Sequence, residues 1–162
     1  MNYENSRKIS VIVPVMNEED NVLPLIERVR EALGQADWEL VIVDDGSTDS
    51  TVERILEESL MDGRIRLVEL ARNYGQSTAM QAGLDHASGD LLITMDGDLQ
   101  NDPADIPALV AKLEDGYDIV AGYRVKRQDR FITRKVPSST GLIPFFPRTP
   151  PTSSRVIATA LA

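Results

Sequence analysis

The chain has no cysteine among its 162 residues, which excludes disulfides and thiolate metal sites. Its one histidine, His86, lies near a helix end ahead of Gly89, where it reads as a partner for the helix dipole rather than a catalyst. No apolar run approaches the length of a membrane span. The opening residues, Met1-Asn2-Tyr3-Glu4, lack the basic-then-apolar pattern of a secretory leader. These absences give the expectation of one cytoplasmic domain, long enough to bury a core. Net positive charge is lacking too: the formal charge is −9, which argues against a general nucleic-acid binder. That average hides a reversal. Arg124, Lys126, Arg127, Arg130, Arg134 and Lys135 crowd together with one acid, Asp129, and no acidic residue follows it.

What is present alternates. Ile9 to Val15 is a β-branched run that reads as a buried strand. Glu19 to Leu33 places Val22, Leu25, Ile26, Val29 and Leu33 on one helical face, with Gly34 as its stop. Strands are expected again at Glu39 to Val43, Ile65 to Leu70, Leu91 to Met95 and Tyr117 to Ala121. Between them lie helices from about Ser50 to Leu60, from Gln76 to Ala87, and one opened by Asp102-Pro103. Such alternation predicts an α/β domain, a mainly parallel sheet with helices on both faces. In these sheets ligands sit at the carboxyl ends of the strands. Asn17-Glu18, Asp44-Asp45-Gly46-Ser47, Asn73-Tyr74-Gly75-Gln76 and Asp96 to Gln100 each follow an expected strand, so four polar loops should converge on one edge. The last loop, Asp96-Gly97-Asp98-Leu99-Gln100, gathers two carboxylates and an amide oxygen at alternate positions. Hard oxygen ligands of that kind suit Mg²⁺ or Mn²⁺, with substrate phosphates completing the shell. On its own the pattern equally fits an acidic turn. Asp44 could likewise merely start a turn, and Asp45 could cap the helix after it.

Beyond Val136 the composition changes. Pro137, Pro144, Pro147, Pro150 and Pro151 are five of the nine prolines, and Ser and Thr are frequent. The expectation is a domain over residues 1–138 followed by a disordered Pro/Ser/Thr-rich tail over 139–162, without regular helix or sheet.

Five segments resemble the family 2 glycosyltransferases, and within them the polyprenyl-phosphate sugar transferases such as dolichyl-phosphate mannose synthases and bactoprenol glucosyltransferases. They are Val13 to Glu19 (VPVMNEE), Val43 to Asp49 (VDDGSTD), Arg72 to Gln76 (RNYGQ), Asp96 to Pro103 (DGDLQNDP) and Gly122-Tyr123-Arg124. The resemblance covers roughly residues 8 to 138 and implies a GT-A fold that binds a nucleoside-diphosphate sugar. It further implies that Pro14, Val15, Asn17 and Glu18 line the base and ribose pocket and that Asp45 contacts the nucleoside. Asp96 and Gly97 would sit by the ribose and sugar, while Asp98 and Gln100 would ligate the divalent metal. Arg124, with Arg134 or Lys135, would hold phosphates of donor or acceptor; Asp96, Asp98 and Arg124 form the implied catalytic set.

The implied activity is inverting transfer of a hexose-type sugar to a polyprenyl phosphate, by a protein peripheral to the inner face of the membrane. The basic segment would meet the lipid phosphate and the anionic surface. The alternatives are a non-catalytic nucleotide-sugar-binding fragment and a soluble transferase with a sugar or protein hydroxyl acceptor; a homo-oligomer is left open. From Ser139 onward the chain departs from the family pattern, as a truncation or frame shift would make it. Donor binding without transfer is the expectation that follows.

Overall fold

The computed structural model describes residues 7–115, 117–122, 142–147 and 156–160. The elements run β1 (Ile9–Val15), α1 (Glu19–Leu33), β2 (Trp38–Asp44), α2 (Thr51–Met61), β3 (Ile65–Glu69), α3 (Gln76–His86) and β4 (Leu91–Thr94). A 3-10 turn (Pro103–Asp105) then leads into α4 (Ile106–Glu114), β5 (Tyr117–Gly122), β6 (Leu142–Pro147) and β7 (Val156–Ala160). Each element expected from the sequence is present, with boundaries differing by a few residues at most.

The sheet order is β3-β2-β1-β4-β7-β5-β6. All pairings are parallel except β5 with β6. β1 lies inside the sheet between β2 and β4, and every one of its residues is buried. Burial on both faces explains its nearly unbroken apolar run. Ile9, Val11, Val13 and Val15 join one core cluster with Val22, Leu25, Ile26 and Val29 of α1 and Leu109 and Leu113 of α4. Ile12 belongs instead to a smaller cluster with Val41, Val43 and Ala79 of α3. The period of two along the strand thus feeds helices on both faces. α3 is built from small residues because it packs close: a Cβ added at Gly83 would overlap the Ile12 side chain.

The chain leaves β1 toward β2 on one side and returns through β4 on the other. The order therefore reverses between β1 and β4, the place where open α/β sheets form their binding crevice.

Beyond residue 138 the structure departs from the expectation of no regular sheet. β6 is antiparallel to β5 at the end of the sheet, and its prolines, Pro144 and Pro147, occupy an edge strand, where the missing N–H can face away from the ladder. β7 contains no proline and is rich in β-branched residues, and it lies between β4 and β5, parallel to both. Prolines forbid a central strand only where they fall, and none falls in 156–160. The remaining residues of the 139–162 segment lie outside those described.

Candidate functional site

The loops after β1, β2, β3 and β4 meet in an open cleft of about 400 Å³ at the carboxyl edge of the sheet. Pro14 and Val15 line it from the end of β1, Met16 and Glu18 from the first loop and Asp45 from the second. Asn73, Gly75 and Gln76 come from the third, and Asp96, Gly97 and Asp98 from the fourth.

Cross-bonds between loops fix this arrangement. Asn17 takes the left-handed conformation (φ 55°), which Asn tolerates better than most residues. There its N–H donates to Ser47 Oγ at 2.8 Å, and its Oδ1 accepts the Thr48 N–H at 2.8 Å. The Glu18 N–H donates to Thr51 Oγ1 at 2.9 Å. Asn17 is thus a clamp between the first two loops and is not among the residues lining the cleft.

In the second loop Asp44 and Asp45 do different work. Asp44 is buried, and its Oδ2 accepts the N–H groups of Gly46 and Ser47 at 3.1 and 3.0 Å, so it does start the turn. Asp45 is also buried, but it reaches across to the third loop. Its Oδ1 accepts the Tyr74 N–H at 2.7 Å and its Oδ2 the Gly75 N–H at 2.9 Å. Its carboxylate therefore braces the third loop and does not cap α2. Gly46 (φ 80°) sits against that same loop; a Cβ there would come within 2.6 Å of the Asn73 nitrogen.

In the fourth loop Gly97 packs beneath β1, where a Cβ would fall 2.7 Å from Val15 Cγ1 and 3.2 Å from the Pro14 oxygen. Only glycine lets the Asp96–Asp98 backbone approach so closely. Asp98 Oδ1 accepts the Gln100 N–H at 3.0 Å. Leu99 between them has φ 61°, a conformation costly for a leucine and of a kind that clusters at functional sites. The Asp96 carboxyl accepts a hydrogen bond from Gln76 Nε2 at 2.6 Å. Burial, and then the charge of Asp98, push the Asp96 pKa above its ordinary value, while the Gln76 bond pulls it back.

Of the residues expected to form a site, Pro14, Val15, Glu18, Asp45, Asp96, Gly97 and Asp98 come together around one cleft. Gln100 continues the Asp98 loop without lining the cleft. Arg124, Arg134 and Lys135 lie outside the described residues. Met16, Asn73, Gly75 and Gln76 line the cleft without having been singled out as site residues. The signal for the last three was available in the Arg72–Gln76 motif after β3, and that for Met16 in the Val13–Glu19 segment.

The family model described as "Glycosyl transferase family 2" matches residues 10–158. A dodecaprenyl-phosphate galacturonate synthase of Rhizobium johnstonii is 50% identical over 137 residues, covering 82% of this chain and 40% of that protein. An undecaprenyl-phosphate 4-deoxy-4-formamido-L-arabinose transferase of Salmonella paratyphi B is 44% identical over 141 residues, covering 85% and 43%. The chain thus spans less than half the length of these two relatives.

Solved GT-A glycosyltransferases share the fold. A mannosyltransferase from Pyrobaculum calidifontis, in complex with GDP-Man and Mn²⁺, superposes with TM-score 0.64 at 25% identity, over 76% of this chain and 37% of that one. A glucosyl-3-phosphoglycerate synthase from Mycobacterium tuberculosis, in complex with Mn²⁺, UDP-Glc and glycerol 3-phosphate, gives 0.59 at 27% identity, over 74% and 45%.

Proposed function

The chain belongs to glycosyl transferase family 2, and from that premise we propose that its cleft holds a nucleoside-diphosphate sugar whose hexose-type sugar passes, with inversion, to a polyprenyl phosphate. The observation that carries this reading is the meeting of four loops at the β1/β4 reversal, with Asp96, Gly97 and Asp98 forming one wall. The acceptor is argued from relatives at 50% and 44% identity whose names specify dodecaprenyl and undecaprenyl phosphate.

In this reading Pro14, Val15 and Glu18 receive the base and ribose, and Asn17 holds their loop in place. Asp45, both of whose oxygens already accept backbone N–H groups, acts on the nucleoside end chiefly by fixing the third loop. Asp96 faces the ribose and sugar. Asp98 and Gln100 would hold a divalent cation, Mg²⁺ or Mn²⁺. Both offer hard oxygen donors of the kind such an ion takes, and a cation there would also offset the charge that Asp98 shares with Asp96 along one wall of the cleft. Among the described residues no three acidic or histidine side chains gather into a complete cage. Two oxygen ligands leave positions for diphosphate oxygens, the arrangement Mg²⁺ commonly takes. When bound, the cation would neutralise charge building on the leaving diphosphate.

The acceptor's phosphate oxygen attacks the anomeric carbon as the bond to the donor diphosphate breaks, and the diphosphate leaves with the electron pair. Direct displacement inverts the centre. No general base is needed, because a phosphate monoester with a second pKa of about 6 is mostly dianionic at pH 7. Arg124, Arg134 and Lys135 serve the phosphates in this reading, on the family resemblance alone. A lipid acceptor would bring the reaction to a membrane surface, and we propose the inner face; among the described residues no helix is long and apolar enough to cross a membrane.

The test is a thermal-shift panel of UDP- and GDP-sugars with and without Mn²⁺, followed by transfer of labelled sugar to short polyprenyl phosphates. Metal-dependent stabilisation and labelled lipid are the expected outcomes of this proposal, in place of the donor binding without transfer suggested by the departure after Ser139. Binding without transfer would favour the nucleotide-sugar-binding fragment, and transfer only to a free sugar would favour a hydroxyl acceptor.

A further inference from the structure

Gln76 stands at the first position of α3, exposed to solvent, yet its side chain reaches out of its own loop. We propose that Gln76 is a positioning residue for the sugar end of the donor, because its carboxamide fixes the Asp96 carboxylate against the cleft. The inference rests on the functional reading above and names a part of that site which the family resemblance did not assign.

Three features of the structure support it. The bond from Gln76 Nε2 to Asp96 Oδ1 is 2.6 Å and joins the third loop to the fourth across the cleft that both line. The base from which Gln76 reaches is fixed: the two preceding N–H groups are held by Asp45 at 2.7 and 2.9 Å. Gly75, at φ 92°, supplies a backbone conformation that other residues rarely adopt. A reach from an anchored backbone orients its target, whereas the same amide on a free loop would follow it.

The chemistry of the donor also matters. Asp96 lies two residues from Asp98, and both carboxylates line the same wall of the cleft. A lysine or arginine in place of Gln76 would orient Asp96 but would also cancel charge in a wall that must attract a cation. A carboxamide donates one N–H and leaves the charge in place. The Asp45 brace, the anchored third loop and the Gln76–Asp96 bond therefore form a continuous path from the nucleoside end of the cleft to the sugar end.

The test is a double-mutant cycle on binding, read by calorimetry in Mn²⁺ buffer with UDP, GDP, UDP-glucose and GDP-mannose. Gln76→Ala should weaken the preferred nucleotide sugar about tenfold while leaving the bare nucleoside diphosphate within about twofold, since only the sugar end loses its orientation. Gln76→Glu, which keeps the length but loses the donor and adds a repelling carboxylate, should lose at least as much. In an Asp96→Ala background, Gln76→Ala should cost less than about twofold, because a residue acting through Asp96 has nothing left to orient. Asp96→Ser replaces Asp96→Ala should the alanine variant fail to fold. Equal losses in both backgrounds, equal losses for the nucleotide and its sugar, or no loss in the parent would each overturn the proposal alone. A parent chain that binds none of the four ligands would overturn the functional reading and this inference with it.

Discussion

Acid should loosen this protein from the end of the sheet opposite the cleft. Glu39, at the start of β2, has a side chain only 5% exposed, yet it is surrounded by donors. Its oxygens accept from Ser10 Oγ at 2.6 Å, from the Ser88 N–H at 2.6 Å and from Lys8 Nζ at 3.1 Å, and Arg66 lies at 3.3 Å. Burial by itself pushes the carboxyl up, but the bonds from Ser10, Ser88 and Lys8 outweigh it and bring the pKa from 4.5 down to about 2. At about 1.4 kcal/mol per pH unit this drop corresponds to roughly 3 kcal/mol. Screening of the partly exposed Lys8 and Arg66 lowers the expectation to about 2–3 kcal/mol.

Because the folded pKa is depressed, the contribution is complete above pH 4.5 and is lost as pH falls through about 2. The measurement is urea unfolding of the parent and of Glu39→Gln at pH 7, 4.5, 3 and 2, where the difference between the two proteins removes the titration of other carboxyls. That difference should be large at pH 7 and should shrink by about 2–3 kcal/mol between pH 4.5 and 2. A difference that stays constant with pH would show that Glu39 acts through shape and not through charge, and would refute the reasoning.

Further outcomes follow from the same structure. Asp98→Ala should abolish the Mn²⁺-dependent part of stabilisation by UDP or GDP and leave the melting temperature of the ligand-free protein nearly unchanged; unchanged nucleotide affinity by calorimetry would remove Asp98 from the metal. Gly97→Ala should cost about 1–3 kcal/mol in urea unfolding, since the new Cβ would lie 2.7 Å from Val15 Cγ1 and 3.2 Å from the Pro14 backbone oxygen. Arg124→Ala and the Arg134/Lys135 double alanine should reduce co-sedimentation with anionic vesicles, an effect that added salt screens; equal binding to neutral and anionic vesicles would count against the basic segment as a membrane contact. Deleting residues 156–162 should lower the unfolding midpoint sharply, because β4 and β5 each lose a parallel neighbour. An unchanged midpoint would show that these residues are dispensable to the sheet.

The sheet edge that forms the cleft was readable because two periodicities and a topological rule agree. Ile9 to Val15 could be assigned from β-branching alone, and the α1 stripe from Val22 to Leu33 from its spacing. The rule that ligands gather where parallel strands end then brought the Asp45 and Asp96 loops together from the sequence alone. Side-chain roles within the cleft were less readable. Nothing in the pattern Asp44-Asp45 says that the first carboxylate turns its own loop while the second crosses to the amides of Tyr74 and Gly75. That division depends on how far Gly46 lets the two loops approach, a distance set by tertiary packing. Gln76 was read as part of a loop motif for the same reason: its partner, Asp96, is 20 residues away in sequence.

The C-terminal strands show a different limit. Composition averages over a window, whereas strand formation is decided residue by residue. The prolines that dominate residues 137–151 lower the apparent strand content of everything beside them, yet Val156 to Ala160 is itself a run that favours a pleated surface. Its position is a matter of supply and demand within the sheet. β4 is paired on one side by β1, and β5 on one side by β6, so an open ladder edge faces outward from each. Unpaired edges of that kind recruit a strand from wherever the chain can provide one. β7 fills both at once, parallel to each neighbour. The strand's identity is therefore set by the vacancy beside it as much as by its own residues, and a local reading of the sequence has no access to the vacancy.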